Sequence, residues 1–307
     1  MNLKTLYRKA FLSKYFFTIA ICQKGNGIRL DRQFIPQFIL PATQNIWAAD
    51  PILVDYEGNT WLFYEAVEYD RGHIEVAEVR EDCTLGEPTV ILKDDTHYSY
   101  PFVFRRENEW YMIPESSEAK EVRLYRAVRF PEKWEPVTVL LRERAVDTTV
   151  FEQEGRYYLL TYLTDGLSER VVPKAYELFF EGTGAYLKEI PWNDYDELRV
   201  RGAGPVLREG DSLLRPAQVS QEQRYGDAVA FYRVHLSEEY RESLEFEISS
   251  DDLKITGIYT DGLHTYSASE RFEAIDLRCR EFDLIKPAKW LIGVFKNNGE
   301  TGWRLIS

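Results

Sequence analysis

Along most of this chain apolar and polar residues alternate in short runs, the period of a strand with one buried face. Three stretches line up with one another: ADPILVDYEGNTWLFYEA from Ala49 to Ala66, SYPFVFRRENEWYMIPES from Ser99 to Ser116, and VDTTVFEQEGRYYLLTYL from Val146 to Leu163. Each holds an apolar strand, a charged turn with Gly or Asn, and an aromatic-rich second strand, which is the pattern of a β-hairpin. A third strand follows the first two hairpins, HIEVAEV at His73–Val79 and EVRLYRAV at Glu121–Val128. A short outer strand comes after each: TVIL beyond Pro88 and VTVLL beyond Pro136. Four antiparallel strands in a unit of about fifty residues predict a propeller blade.

A fourth unit begins near Arg201, where GPVLREGDSLLRPAQV repeats the second hairpin with a shortened turn and Pro216 in the place of Pro114. DAVAFYRVHL continues it. The fifth unit is drawn from LKITGIYTDGLHTYSA, FEAIDLR and the final KWLIGVFK, with the early FFTIAI closing the ring between the two termini. Closure of that kind removes the exposed edges of an open sheet. Asp165 to Leu198 reads as an irregular connecting loop, and HLSEEYRESLEFE as room for a short helical turn. With no Pro/Gly/Ser-rich linker, the expectation is an all-β, five-bladed β-propeller in one domain over residues 1–307.

Composition narrows the partners. The formal charge of −13 repels nucleic acid and anionic lipid. Cys22, Cys83 and Cys279 are odd in number and lack CxxC spacing, so neither a zinc site nor a disulfide framework is expected. Lys4, Arg8 and Lys9 precede the apolar stretch Tyr15–Cys22, which is short for a signal core, lacks a cleavage pattern and reads as a strand before the turn KGNG. No segment reaches the roughly 20 apolar residues of a membrane span, and a cytoplasmic location is the expectation.

Blade geometry places the candidate chemistry. The residue opening an inner strand and the one ending its hairpin return to the same rim; these are Asp50 and Glu65, Tyr100 and Glu115, Asp147 and Tyr162, at one common offset. Three blades thereby aim Asp50, Glu65, Glu115 and Asp147 at one channel mouth. A strand end is often acidic only because it meets solvent, but recurrence in consecutive blades argues for a set. Converging carboxylates push one another's pKa values apart, so that one serves as acid and another as base. Glycoside cleavage uses such a pair. A calcium ion, structural or catalytic, is also held by oxygen ligands, and the two readings stand together here. No cofactor is indicated: GxSxG, GxGxxG after a strand and GxxxxGK are all missing.

The segments WAADPILV, FYE, HYSYPFVF, MIPES, FPEKW, VDTTVF, LLRPAQ and RYGDAV occur in order between Trp47 and Val234, with an echo at DGLHTYSA. In these the chain resembles the propeller domain at the N-terminus of glucosamine inositolphosphorylceramide transferase and related bacterial proteins, which is similar to glycoside hydrolase family 43. The resemblance implies a sugar or glycoconjugate substrate, with Asp50 as general base and Asp147 as the residue that tunes the acid. It also implies a general-acid Glu in a later blade, whereas LLRPAQ offers Arg215 and Gln218 instead, leaving Glu115 as the substitute acid. Glu65, His97, Tyr100, Arg215, Gln218, Tyr225 and His264 make up the expected substrate-binding set. His97 has a second reading as a turn cap beside Asp95 and Thr96. Arg215 has one as a wall residue neutralising the acidic ring, against a bidentate grip on a charged substrate. Trp47 and Trp61 read as packing between blades. The function expected is glycoside hydrolase-like, in cell-surface glycan or glycolipid metabolism, with glycosyl transfer or non-catalytic sugar binding as alternatives.

Overall fold

The computed structural model describes residues 14–281 apart from 26, 28, 168, 169, 183, 222 and 223; of residues 221, 224 and 225 it describes the backbone only. The chain enters with β1 (Phe16–Gln23) and β2 (Phe38–Ile39). Blade 1 is β3 (Ile46–Tyr56), β4 (Asn59–Glu68), β5 (Arg71–Val79) and β6 (Thr89–Leu92). Blade 2 is β7 (Ser99–Arg106), β8 (Glu109–Glu115), β9 (Val122–Arg129) and β10 (Lys133–Leu141). Blade 3 is β11 (Ala145–Gln153), β12 (Arg156–Leu163), β13 (Val172–Glu181) and β14 (Gly184–Ile190). Blade 4 is β15 (Leu207–Glu209), β16 (Ser212–Gln221), β17 (Arg224–Leu236) and β18 (Tyr240–Ser249). Then β19 (Thr260–Ala268) pairs with β20 (Phe272–Cys279), β20 with β1, and β1 with β2, to make blade 5. The five-bladed all-β propeller is thus closed by strands from both halves of the chain.

Hairpin register follows from the turn residues. Tyr56 faces Asn59 across Glu57–Gly58, and Gln153 faces Arg156 across Glu154–Gly155. Both residues of each pair have positive φ, 51° and 82° in the first and 53° and 77° in the second. That is the two-residue turn whose twist matches the strands it joins. Blade 4 uses an equally short turn, with Glu209 opposite Ser212. Its brevity lies instead in the first strand, which is interrupted at Gly204. There the φ is 123°, and a Cβ would come within 2.0 Å of the Tyr266 carbonyl oxygen.

Three expectations need correction or fall outside the structure. The segment read as an irregular loop carries β13 and β14, the outer half of blade 3. Pro173 and the half-buried polar β14 hide the alternation there. HLSEEYRESLEFE is the end of β17 and the start of β18 rather than a helical turn, because an outer strand leaves most of its side chains in solvent and carries charges freely. KWLIGVFK lies outside the described residues, and the outer edge of blade 5 is β2.

Apolar clusters lie between neighbouring blades. Trp110 stacks on Phe130 at 4.3 Å, and Phe63 meets Phe130 and Trp134 at the seam of blades 1 and 2. Trp61 packs on that cluster, while Trp47 packs on Phe17 and the cluster between blades 4 and 5. Both tryptophans serve packing, as the sequence suggests. Among the described residues no helix is long and apolar enough to cross a membrane.

Candidate functional site

The mouth is built by a repeated irregularity. In four blades the inner hairpin loses register near its rim end, between Ala49 and Ile52, Ser99 and Phe102, Val146 and Thr149, and Leu263 and Tyr266. Such a bulge re-aims a side chain that would otherwise follow the pleat. The residues it turns are Asp50, Tyr100, Asp147 and, by the same register, His264. The first three have φ of 54°, 40° and 49°, a left-handed conformation that is uncommon outside glycine. Each costs of order 1–3 kcal/mol, and strain of this kind collects at functional sites.

Carboxylates then fasten one blade to the next. The Asp50 amide donates to Asp276 Oδ2 at 3.0 Å, the Tyr100 amide to Asp50 Oδ2 at 3.2 Å, and the Asp147 amide to Glu115 Oε2 at 3.2 Å. Tyr100 carries the chain of contacts onward: its hydroxyl meets Thr149 Oγ1 at 2.9 Å and accepts the Gly204 amide at 2.8 Å. The structure therefore brings Asp50, Glu115, Asp147, Tyr100 and His264 into one linked ring.

Three acid–base groups stand around that ring. At blade 1, Glu65 Oε1 lies 2.9 Å from His97 Nε2 while the Gly72 amide donates to Nδ1 at 3.0 Å, which assigns the ring proton to Nε2. Glu65 raises the pKa of His97 against the opposing effect of its burial. His97 is thus a partner of Glu65, and its own amide reaches Glu118 at the turn. At blades 2 and 3, burial, followed by the charge of Asp147, pushes the Glu115 carboxyl up to about 7, although Arg201 opposes this. Asp147 is paired with Arg201 and accepts Gln218 Nε2 at 3.2 Å; Gln218 also donates to the Gly202 carbonyl at 2.7 Å. Where blade 1 meets blade 5, burial pushes the Asp50 carboxyl well above the usual range, an effect that His264 counters and Glu65, Asp276 and Asp147 reinforce.

Arg215 sits elsewhere. Its side chain is 1% exposed, gripped by Glu242 through bonds of 2.7 and 2.6 Å, and it donates to the Tyr162 hydroxyl and the Val200 carbonyl. It lies within 5.4 Å of the centroids of both Trp192 and Tyr232. Arg215 is thus sealed in the wall, where it neutralises Glu242 rather than the acidic ring, and the guanidinium beside Asp147 is that of Arg201. The Tyr225 side chain lies outside the described residues. Sequence reasoning passed over Arg201 and Asp276. Asp276 left a signal, an acid flanked by Ile275 and Leu277 in the strand FEAIDLRC, which is wholly buried here.

Asp50, His264 and Asp276 offer three ligand atoms within 4.8 Å of one another. They do not make a calcium site as they stand. Asp276 Oδ1 already accepts the His264 and Thr265 amides, and its Oδ2 accepts the Asp50 amide and faces His264 Nδ1. Its lone pairs are committed, and calcium needs six to eight oxygens.

The fold is a five-bladed propeller whose inner hairpins bring Asp50, Glu115, Asp147 and His264 together. The chain belongs to the family described as glucosamine inositolphosphorylceramide transferase 1, N-terminal, which matches residues 41–258. It is similar to the transferase of that name from Oryza sativa subsp. indica, 31% identical over 64% of this chain and 27% of the relative. The relative from Arabidopsis thaliana is 32% identical over 63% of this chain and 26% of its own length. The chain thus spans about a quarter of these relatives. Among solved structures, an α-L-arabinofuranosidase from Lactobacillus brevis shares the fold with a TM-score of 0.52 at 16% identity, covering 73% of this chain and 80% of that one. The catalytic domain of a GH62 α-L-arabinofuranosidase from Coprinopsis cinerea gives 0.54 at 11% identity, over 76% and 91%.

Proposed function

We propose that the mouth is a glycoside-directed acid–base site in a protein of cell-surface glycan or glycolipid metabolism. Asp50 is the base or nucleophile, Glu115 the acid and Asp147 the residue that keeps Glu115 protonated. The observation that carries this is Glu115: a carboxyl held at about 7 beside a carboxylate that is itself paired with Arg201. A general acid works best with a pKa near the working pH, and separating the acidities of two carboxyls is how one fold supplies acid and base together. The family's name and the arabinofuranosidases that share its fold both concern sugars, which fits the reading.

A second reading, a sugar-binding propeller without turnover, is favoured by the amide fastenings, because Asp50 and Glu115 have a structural task whatever else they do. One experiment separates the two. Aryl glycosides and nucleotide sugars are screened for turnover while a glycan array is probed for binding, each with wild type and Asp50→Asn. Turnover that the substitution abolishes supports the acid–base site. Glycan binding that survives the substitution, with no turnover on any substrate, replaces it with the binding reading.

A further inference from the structure

Asp276 belongs to no hairpin end and carries no solvent-exposed atom of consequence, yet its carboxylate is the most heavily used in the ring. It is 0% exposed on β20 and accepts three backbone amides, those of Asp50, His264 and Thr265, at 2.9–3.0 Å. Its Oδ2 also lies 2.5 Å from His264 Nδ1. A carboxylate is an acceptor only, so this contact assigns a proton to Nδ1. Phe17 covers the imidazole in a stacked contact, 4.3 Å between centroids and 11° between planes, which limits the ring's rotation. The other edge of the imidazole, Nε2, then lies 3.7 Å from Asp50 Oδ1.

The consequence is electrostatic. With Nδ1 protonated by its contact to Asp276, a neutral His264 would turn the lone pair of Nε2 toward Asp50. Facing an ionised Asp50, that lone pair would meet another pair of electrons in a buried, weakly screened space. The arrangement is favourable when one proton is present, either on Nε2 opposite a carboxylate or on Asp50 opposite a neutral ring. Contacts with Asp276, Thr265 and Tyr100 favour the first form, while burial of both groups favours the second. Asp276 and Asp147 add negative charge beside His264, the Thr265 hydroxyl donates to Asp50 Oδ1 at 2.9 Å, and the Tyr100 amide donates to Oδ2. Glu65 and Asp147 act on Asp50 from the other side of the ring and raise its proton affinity. Among the described residues, Asp276, Asp147 and Glu65 are charged groups that act on the pair.

We propose that Asp276 is the positioning residue of the mouth: it holds His264 by Nδ1–H so that a protonated Nε2 faces the Asp50 carboxylate across 3.7 Å as a charge pair. This rests on the reading of the mouth as an acid–base site, for which it supplies a counter-charge beside Asp50 that opposes the effect of burial. His264 takes the part that a cation would take in a ring of carboxylates, and Asp276 stands behind the pair without reaching the mouth.

The test needs no substrate. Nitrogen-15 spectra of histidine in the full chain report the tautomer and the titration of His264 directly. Wild type should show Nδ1 protonated throughout and Nε2 protonated at neutral pH. Asp276→Asn should lower the titration midpoint of His264 by at least about one pH unit, the scale of a lost charge contact, and release the fixed tautomer. Asp50→Asn, which leaves Asp276 in place, should lower the midpoint while Nδ1 stays protonated, and this variant decides if Asp276→Asn does not fold. A His264 that is neutral at pH 7 with its proton on Nε2, or one whose midpoint Asp50→Asn leaves unmoved, overturns the proposal. A protein inert toward every glycoside but carrying the wild-type signature overturns only the proposed function, and an active protein without that signature overturns only this inference.

Discussion

Two arginine–carboxylate pairs stand close together where blades 3 and 4 meet, and they do different things. Arg215 and Glu242 are 1% and 3% exposed and bind each other through two parallel bonds inside the wall. Arg201 and Asp147 are 20% and 3% exposed and meet at the mouth. In the first pair every bond is spent on holding strands together. In the second, the arginine also holds down the pKa of a neighbouring carboxyl, Glu115. Burial is what separates them. A fully desolvated ion pair is retained only if its partners are saturated, whereas a pair at a rim leaves its charges able to act on other groups.

The strongest way to break this comparison is to remove Arg215. Arg215→Met should destabilise the fold by roughly 3–5 kcal/mol in urea denaturation, because it strands the Glu242 carboxylate in the wall. Arg215→Lys should cost part of that, since an ammonium cannot reproduce two parallel bonds. An unchanged unfolding midpoint for both would return Arg215 to the ligand-facing residues.

Next in size is Asp50→Asn, which keeps the shape of the side chain. Turnover on any substrate found should fall by about 100-fold or more, the range for losing a general base. The urea midpoint should hold steady, since the Asn oxygen can still accept the Tyr100 amide. If the fold is lost instead, Asp50 is a fastener before it is a base.

A rim counterpart is Gly72→Ala. The added Cβ would lie 2.6 Å from Glu65 Oε1, 2.6 Å from the Tyr98 carbonyl oxygen and 2.8 Å from His97 Nε2. Crowding of that order costs roughly 1–3 kcal/mol. It should also part His97 from Glu65, visible as a fall in the His97 titration midpoint; an unaltered His97 would show that the strand gives way instead.

The smallest effects concern Glu115 and pH. The folded protein holds the Glu115 proton up to about 7, against an ordinary value of 4.5, so over that window the native state binds more protons than the unfolded one. Stability from this group therefore declines as pH rises through the window and is level above it. Glu115→Gln should abolish the decline, with a Tm at pH 8 higher than wild type by about 2–4 °C for each kcal/mol recovered. Arg201→Met should move the Glu115 midpoint upward, because Arg201 lowers it now. A downward shift in carboxyl-carbon spectra would sever Arg201 from the acid.

How much could be read in advance follows the burial of each strand. Blades 1 and 2 were legible because their inner hairpins are apolar, end in two-residue turns with Gly or Asn, and recur with an acid at one offset. The outer half of blade 3 and β18 were not, since strands with most side chains in water have no pattern to keep. In the site, Asp50, Glu115 and Asp147 could be aligned by position alone. Arg201 and Asp276 could not. Arg201 acts by reaching from blade 4 across to blade 3, and Asp276 by lying behind a bulge that belongs to blade 1 and another within blade 5.

By itself the chain determined the number of blades, the closing of the ring by an early strand, and which carboxylates open it, because alternation and turn chemistry are local and repeat. Only the tertiary structure decided that Arg215 is sealed into a wall while Arg201 meets the mouth, and that a buried aspartate orients His264 toward Asp50. Those outcomes depend on desolvation and on contacts between residues as distant as Asp50 and Asp276, which come within hydrogen-bonding reach only when the fifth blade closes on the first.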